Sequence, residues 1–281
     1  MANQKQIKKR VSSIENIGKI TSALEMVSAS KVQKAQDSAA RSKPYADKVY
    51  ELVSAVSSEK VPINLPLLRQ PETVKSDLYI LISTNKGLAG SLNSNLFSLI
   101  KKHLEENDYP HNFITLGSKG RNFALREGKL LADFSDKEQF YESVPAVSEM
   151  LIELFEKEEV DRVYLVYSDF ETVMVQTPKV KELLPVKSEE KEEKPTTFSF
   201  EPSPEEVLDN LLVFYIENQV RDAVQEAEAS EHAARMIAMK NASDNAKDLS
   251  ESLSLEYNKA RQSAITTEIA DVVTSTESLS T

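Results

Sequence analysis

The residues best placed to do chemistry lie where an apolar run gives way to a polar, glycine-bearing segment. Ser83-Thr-Asn-Lys-Gly-Leu-Ala-Gly-Ser-Leu-Asn93 follows the continuous apolar run Asp77-Leu-Tyr-Ile-Leu-Ile-Ser83 and precedes a helical pattern. A strand-to-helix turn of this kind can seat a phosphate on the helix N-terminus. It lacks the three glycines of a dinucleotide fingerprint and the full spacing of a P-loop, so a tight turn is the reading it favours. Ser118-Lys-Gly-Arg121 is a weaker version of the same feature. The three histidines, His103, His111 and His232, have no metal-ligand spacing. Glu105/Glu106 and Glu158/Glu159 read as solvated helix ends and not as an acid–base pair in a cleft. The chain has no cysteine, which excludes disulfides, thiolate catalysis and cysteine-based metal sites. No catalytic constellation, cofactor site or metal site emerges.

The elements that carry these turns alternate. Asp77–Ser83 and Arg162–Tyr167 read as strands covered on both faces, Asn112–Leu116 and Lys129–Phe134 as further strands, and Thr172–Gln176 as an edge strand. Leu88–Glu106, Ser118–Glu127 and Val144–Lys157 carry helical spacing between them. The alternation predicts a small Rossmann-like α/β domain with a mainly parallel sheet over residues 61–203. Ser188-Glu-Glu-Lys-Glu-Glu-Lys-Pro195 reads as a solvated loop. After it, Ser203, Pro204, Glu205 and Glu206 have the chemistry of a helix start.

Two long helical runs flank that domain. Residues 204–281 hold an apolar stripe through Val207, Leu211, Leu212, Ile216, Val220, Ala223, Ala227, Ala234, Ile237, Ala242, Ala246, Leu249, Leu253, Ala260, Ala264 and Ile269, with no Gly or Pro after Pro204. About 70 residues at about 1.5 Å each make a shaft of ~105 Å. Residues 1–60 hold the first run, from Gln4 to Ser57, with Ile7, Val11, Ile14, Ile17, Leu24 and Val27 at helical spacing and a weak point at Pro44. Its small residues, Ser28, Ala29, Ser30, Ala35, Ala39 and Ala40, suit close helix packing. The expectation is an antiparallel two-helix coiled coil in which each run is the other's partner. The second run is longer by about 15 residues, so its tip, Glu268–Thr281, should project ~20 Å further.

Charge supports a partnered role. The net charge of −11 argues against nucleic acid. Residues 1–48 carry eight Lys and two Arg against four acids, leaving −17 on the remainder. Such a basic helix is a solvated face or a seat for an acidic surface. No apolar run reaches the ~20 residues of a membrane span. Met1–Arg10 is too polar for a signal peptide. No direct lipid insertion is expected.

Four segments resemble one family in the right order. They are Ile20-Thr-Ser-Ala-Leu-Glu-Met-Val-Ser-Ala-Ser-Lys31, Ser83-Thr-Asn-Lys-Gly-Leu-Ala-Gly90, Ser230-Glu-His-Ala-Ala-Arg-Met-Ile-Ala-Met-Lys-Asn-Ala-Ser-Asp-Asn245 and Tyr257-Asn-Lys-Ala-Arg-Gln-Ser-Ala-Ile-Thr-Thr-Glu268. Together they resemble the gamma subunit of bacterial F-type ATP synthases. The resemblance implies a non-catalytic rotary shaft without a nucleotide site of its own. It would turn inside the ring of alpha and beta subunits, beside the epsilon subunit and on the membrane rotor ring of c subunits. Flow of protons or sodium ions would drive it, at the cytoplasmic side of a bacterial cell membrane.

By position, the resemblance places Leu24, Glu25 and Met26 against the catalytic subunits. Arg235, Gln262, Thr266, Glu268 and Asp271 fall where the last helix links rotation to catalysis. Lys86 and Gly87 lie in a turn near subunit contacts, and Phe198 and Glu201 near the foot on the rotor ring. Ser22 stands where the family commonly has Lys, and the tip after Val273 is more polar than is usual there. The absence of a cysteine-bearing insert and of a transit peptide points to a bacterial enzyme without thiol control.

Two other readings compete. A static coiled-coil scaffold or tether shares the helices but leaves ATP turnover unchanged. A small-molecule enzyme on the α/β domain needs phosphate binding at Lys86–Asn93.

Overall fold

The computed structural model describes residues 2–57, 65–71, 73–106, 109–137, 139–186 and 204–279. Phe198, Glu201, the acidic loop around residues 188–195 and the helix-start residue Ser203 lie outside them. Two long helices, α1 (Ala2–Ser57) and α5 (Pro204–Leu279), bracket the chain, and each contributes to two compact units. Pro44 sits inside α1 without ending it.

Residues 29–234 form the larger unit. Its sheet contains β1 (Asp77–Ile82), β2 (His111–Leu116), β3 (Lys129–Asp133), β4 (Arg162–Phe170) and β5 (Gln176–Leu184), in the order β3-β2-β1-β4-β5. β1, β2, β3 and β4 are parallel, and β5 closes the edge antiparallel to β4. The crossovers are α2 (Leu92–Glu105), α3 (Ser118–Glu127) and α4 (Val144–Glu156). Every residue of β1 is buried, because both of its faces are covered. The period-two alternation of the strands divides their side chains between two cores. Tyr79, Leu81, Phe113 and Val166 meet Leu96 and Ile100 of α2 and Phe123 of α3. Leu78, Ile80, Ile114 and Leu165 share the opposite core with Val147, Leu151 and Phe155 of α4.

That second core changes the reading of α5. Leu208, Leu212, Ile216, Val220, Ala223, Val224 and Ala227 all belong to it. The first part of the stripe therefore buries against the core beneath the sheet, where a coiled-coil partner was expected. Sheet and α4 leave an apolar face that Leu and Ile at three- and four-residue spacing can cover.

Two boundaries also differ from expectation. α2 begins at Leu92 and not at Leu88, because Leu88 (φ 66°) and Gly90 (φ 57°) hold left-handed backbone that a helix cannot use. The edge strand starts at Gln176. Within the expected strand 172–176, Thr172 and Val175 close a tight turn, exchanging N–H···O bonds of 3.1 and 3.2 Å. Pro178 and the charged residues of β5 hid the strand, yet both suit an edge that has a single neighbour.

The smaller unit contains residues 1–28 and 235–281. In it Ile7, Val11, Ile14, Gly18, Thr21, Glu25 and Ser28 of α1 are turned away from solvent and alternate by fours and threes. α5 answers with Met239, Ala242, Ala246, Ser250, Leu253, Tyr257, Ala260 and Ala264. A Cβ on Gly18 would stand 3.5 Å from the Ala246 Cβ. The unit's inner limits, Ser28 and Arg235, lie ten residues on along α1 and eleven back along α5 from that contact. The pairing is antiparallel, and its seam of small residues lets the backbones approach closely. Ile17 and Val27, expected in the seam, are exposed, as are Leu249 and Ile269. A heptad carried on from Ile7, Val11 and Ile14 reaches Gly18 and Thr21 instead.

Candidate functional site

The turn that could have seated a phosphate is closed by its own hydrogen bonds. Thr84 N–H donates to Asn93 Oδ1 (3.3 Å), Asn93 Nδ2 donates to Thr84 Oγ1 (2.7 Å), and the Thr84 hydroxyl donates to the Lys86 carbonyl (2.8 Å). The N-terminal N–H groups of α3 are used in the same way. Ser118 N–H reaches Asn85 Oδ1 (2.9 Å), Lys119 N–H the Thr84 carbonyl (3.2 Å) and Gly120 N–H the Ser83 Oγ (2.7 Å). The first donors of α3 are thus committed to the chain itself. Gly117 makes this possible: its φ is +103°, and a Cβ there would lie 2.1 Å from the Ser83 carbonyl oxygen. Lys86 and Gly87 sit exposed at the tip of the stitched turn, an arrangement that presents a rigid surface.

The smaller unit presents the other candidate residues. On α1, Leu24 and Glu25 are half-buried and Met26 is exposed. Thr21 and Ser28 are buried beside them. Their hydroxyls donate back to carbonyls of their own helix, Thr21 to Ile17 (3.1 Å) and Gly18 (3.0 Å), and Ser28 to Leu24 (2.8 Å). Ile17, Ile20, Leu24 and Val27 make a second stripe, one position out of step with the seam, and Ile17, Ile20 and Val27 are exposed. Sequence reasoning named only Leu24, Glu25 and Met26 as contacts here. The signal for the rest was the two interleaved stripes, which one helix partner cannot both cover.

On α5, Arg235 is half-buried, and Gln262, Thr266, Glu268 and Asp271 are exposed. Continuing the Gly18–Ala246 register brings Ala2 level with about Gln262. From Arg261 to Val273 only Ala264 is less than exposed. The α5 tip therefore runs past the start of α1 by roughly 17 residues, ~26 Å. It carries Ile265, Ile269, Val272 and Val273 in the open, interleaved with the four polar candidates. No group of His, Asp or Glu that could hold a metal occurs among the described residues, and no described helix is long and apolar enough to cross a membrane.

Comparison with known proteins identifies the family. The family model described as ATP synthase matches residues 3–279. The ATP synthase gamma chain of Coxiella burnetii (strain Dugway 5J108-111) is 37% identical over 282 residues, covering 97% of this chain and 98% of that one. The ATP synthase gamma chain of Methylacidiphilum infernorum (isolate V4) is 38% identical over 291 residues, covering 98% of each. Among solved structures, the rotor of the Euglena gracilis mitochondrial ATP synthase shares the fold, with a TM-score of 0.68 at 18% identity. It covers 94% of this chain and 99% of that one. The central stalk and c-ring structure from Tetrahymena thermophila gives a TM-score of 0.60 at 25% identity, covering 80% and 99%. With a family match over almost its whole length, and relatives that keep more than one residue in three, the chain belongs to the ATP synthase gamma-chain family.

Proposed function

We propose that this chain is the central rotary shaft of an F-type ATP synthase, a non-catalytic subunit that couples ion flow through a membrane rotor ring to ATP synthesis. The observation that carries this reading is the α5 tip. A single helix leaves its coiled-coil partner and holds Ile265, Ile269, Val272 and Val273 in water. Exposed apolar faces of that kind belong inside a partner. A ring of catalytic alpha and beta subunits supplies such a socket. An asymmetric axle cannot touch all members of the ring alike, and differential contact free energy is what biases each site.

In this reading residues 1–60 and 204–281 carry the shaft helices and residues 61–203 the globular foot, whose core the first turns of α5 also complete. Leu24, Glu25 and Met26, with the Ile17–Ile20–Val27 stripe around them, meet the catalytic ring. Arg235, Gln262, Thr266, Glu268 and Asp271 transmit its movement. Lys86 and Gly87 lie near subunit contacts, and Phe198 and Glu201 near the foot on the c-ring. The complex sits peripherally on the cytoplasmic side of a bacterial cell membrane, which the chain reaches through its partners without inserting into lipid itself. The experiment is reconstitution: purified alpha and beta subunits are assayed for ATP hydrolysis with and without the chain. Turnover that depends on the chain supports the shaft, whereas identical turnover supports a static scaffold.

A further inference from the structure

The chain leaves β3 on one side of β1 and returns at β4 on the other, so its connections diverge at the carboxyl ends of β1 and β4. Open α/β sheets bind small ligands in the crevice at such a switch point. Here a cavity lies between the end of β1, Ser168 of β4, the start of α2 and, from α5, Glu228 and Glu231. It offers about 10 Å³ to the centre of a water-sized guest, space for one small group. Part of its polar lining is already committed. Ser83 Oγ donates to the Gly117 carbonyl (3.1 Å) and accepts from Gly120 N–H, while Thr84 and Asn93 hydrogen-bond each other. The Ser168 hydroxyl is not: the residue is 3% exposed, and it has no hydrogen-bond partner among the described residues. Glu228 and Glu231, both half-buried, line the same cavity.

One hydroxyl and two carboxylates thus surround a space of one small group. An alkylammonium head matches them, because it brings three N–H donors and the opposite charge. A calcium-like metal ion asks for about six to eight oxygens, and no group of three acidic or histidine ligands occurs among the described residues. Leu92, Leu96 and Phe140 also line the cavity and give the stem of such a side chain an apolar wall. We propose that this cavity binds the ammonium group of a lysine side chain from a partner subunit, held by Ser168, Glu228 and Glu231. The electrostatics agree. Burial, and after it Glu231, raise the Glu228 carboxyl above its ordinary range, against the opposing pull of the Phe140 N–H and Lys31. An incoming cation offsets the charge that these groups leave under-compensated.

The test is a titration of the full-length, methyl-labelled chain with n-butylammonium chloride, which copies the end of a lysine side chain. NMR reads the Leu92 and Leu96 methyl groups. Saturable shifts are expected there, with none from tetramethylammonium, which has no N–H to donate. Equal shifts from the two salts, or none from either, overturn the site. Ammonium chloride that binds as tightly as n-butylammonium overturns the side-chain reading. Glu228→Gln should weaken n-butylammonium by about tenfold or more, and an unchanged affinity in that variant also overturns the site. The partner rests on the shaft reading, whereas the titration reads the isolated chain and succeeds or fails whether or not the chain turns. In the assembled synthase, a carbodiimide joins a carboxylate to an amine in contact with it. An amide between Glu228 or Glu231 and a lysine of another subunit supports the partner, and the absence of any such amide overturns it.

Discussion

Gly18 of α1 and Ala246 of α5 face each other across the seam of the smaller unit, at a spacing that leaves room for one more methyl group. A Cβ on Gly18 would meet the Ala246 Cβ at 3.5 Å, an ordinary van der Waals contact, and Gly18 is not in the left-handed region. Gly18→Ala should therefore stabilise the chain by roughly 0.5–1 kcal/mol through helix propensity. Gly18→Leu should destabilise it by forcing the helices apart, by about 1–3 kcal/mol. Thermal unfolding followed by circular dichroism checks both, and a lower midpoint for Gly18→Ala would refute the packing described.

The two roles of the α5 stripe separate by mutation. Leu212 is fully buried in the core beneath the sheet, whereas Leu249 is half exposed on the outer face. Leu212→Ala should cost about 2–5 kcal/mol in urea unfolding. Leu249→Ala should stay within about 0.5 kcal/mol in the isolated chain. Equal costs would return the whole stripe to a coiled coil.

Buried Asp77 predicts a pH effect in the globular core. It accepts a hydrogen bond from the Tyr79 hydroxyl (3.1 Å) and is fully buried. Burial raises its carboxyl above the ordinary range, against the opposing pull of Tyr109, Tyr79, Arg162 and His111. The stabilising form is the protonated one. Its contribution is complete below the ordinary carboxylate range and is lost as pH rises through the raised value. Asp77→Asn keeps an acceptor for Tyr79 and removes this dependence. Its stability near neutral pH should equal or exceed wild type by up to about 1 kcal/mol. A loss above that, measured in urea at two pH values, would show that the ionised carboxylate is the stabilising form.

Coupling should depend more on the paired part of α5 than on its last turns. Truncation after Val273 leaves Gln262, Thr266, Glu268 and Asp271 in place. It should reduce ion-driven ATP synthesis less than Arg235→Ala or Gln262→Ala does in the assembled enzyme. The double variant Ile265→Ser, Ile269→Ser should weaken retention of the chain by the catalytic ring, since each buried aliphatic side chain contributes about 1.5–3 kcal/mol. Equal loss from truncation and from the point variants would reassign the contacts.

Much of this fold was legible because its signals are periodic. The four parallel strands follow from short apolar runs, and Ser118–Glu127 is the helix that its spacing predicted. What stayed hidden depends on neighbours the sequence cannot name. β5 reads as polar because an edge strand needs only one apolar face. Leu208–Ala227 looks like more shaft because a helix on a sheet and a helix on a helix require the same three- and four-residue spacing. The offset between the seam and the outer stripe of α1 amounts to one residue, Ile17 beside Gly18. It shows only when the heptad is continued from Ile7. At the contact surfaces, polar candidates such as Gln262 and Glu268 came from resemblance. The exposed apolar residues among them, Ile265, Ile269, Val272 and Val273, came from seeing where α1 begins.

The central claim is that this chain turns. A Lys101→Cys variant, chosen because Lys101 is exposed on α2 and outside the proposed contacts, can carry a visible probe while the catalytic subunits are fixed to a surface. On addition of ATP the account predicts unidirectional rotation of the probe in three steps per turn, abolished when hydrolysis is blocked. A probe that stays still while ATP is hydrolysed at the full rate would contradict it.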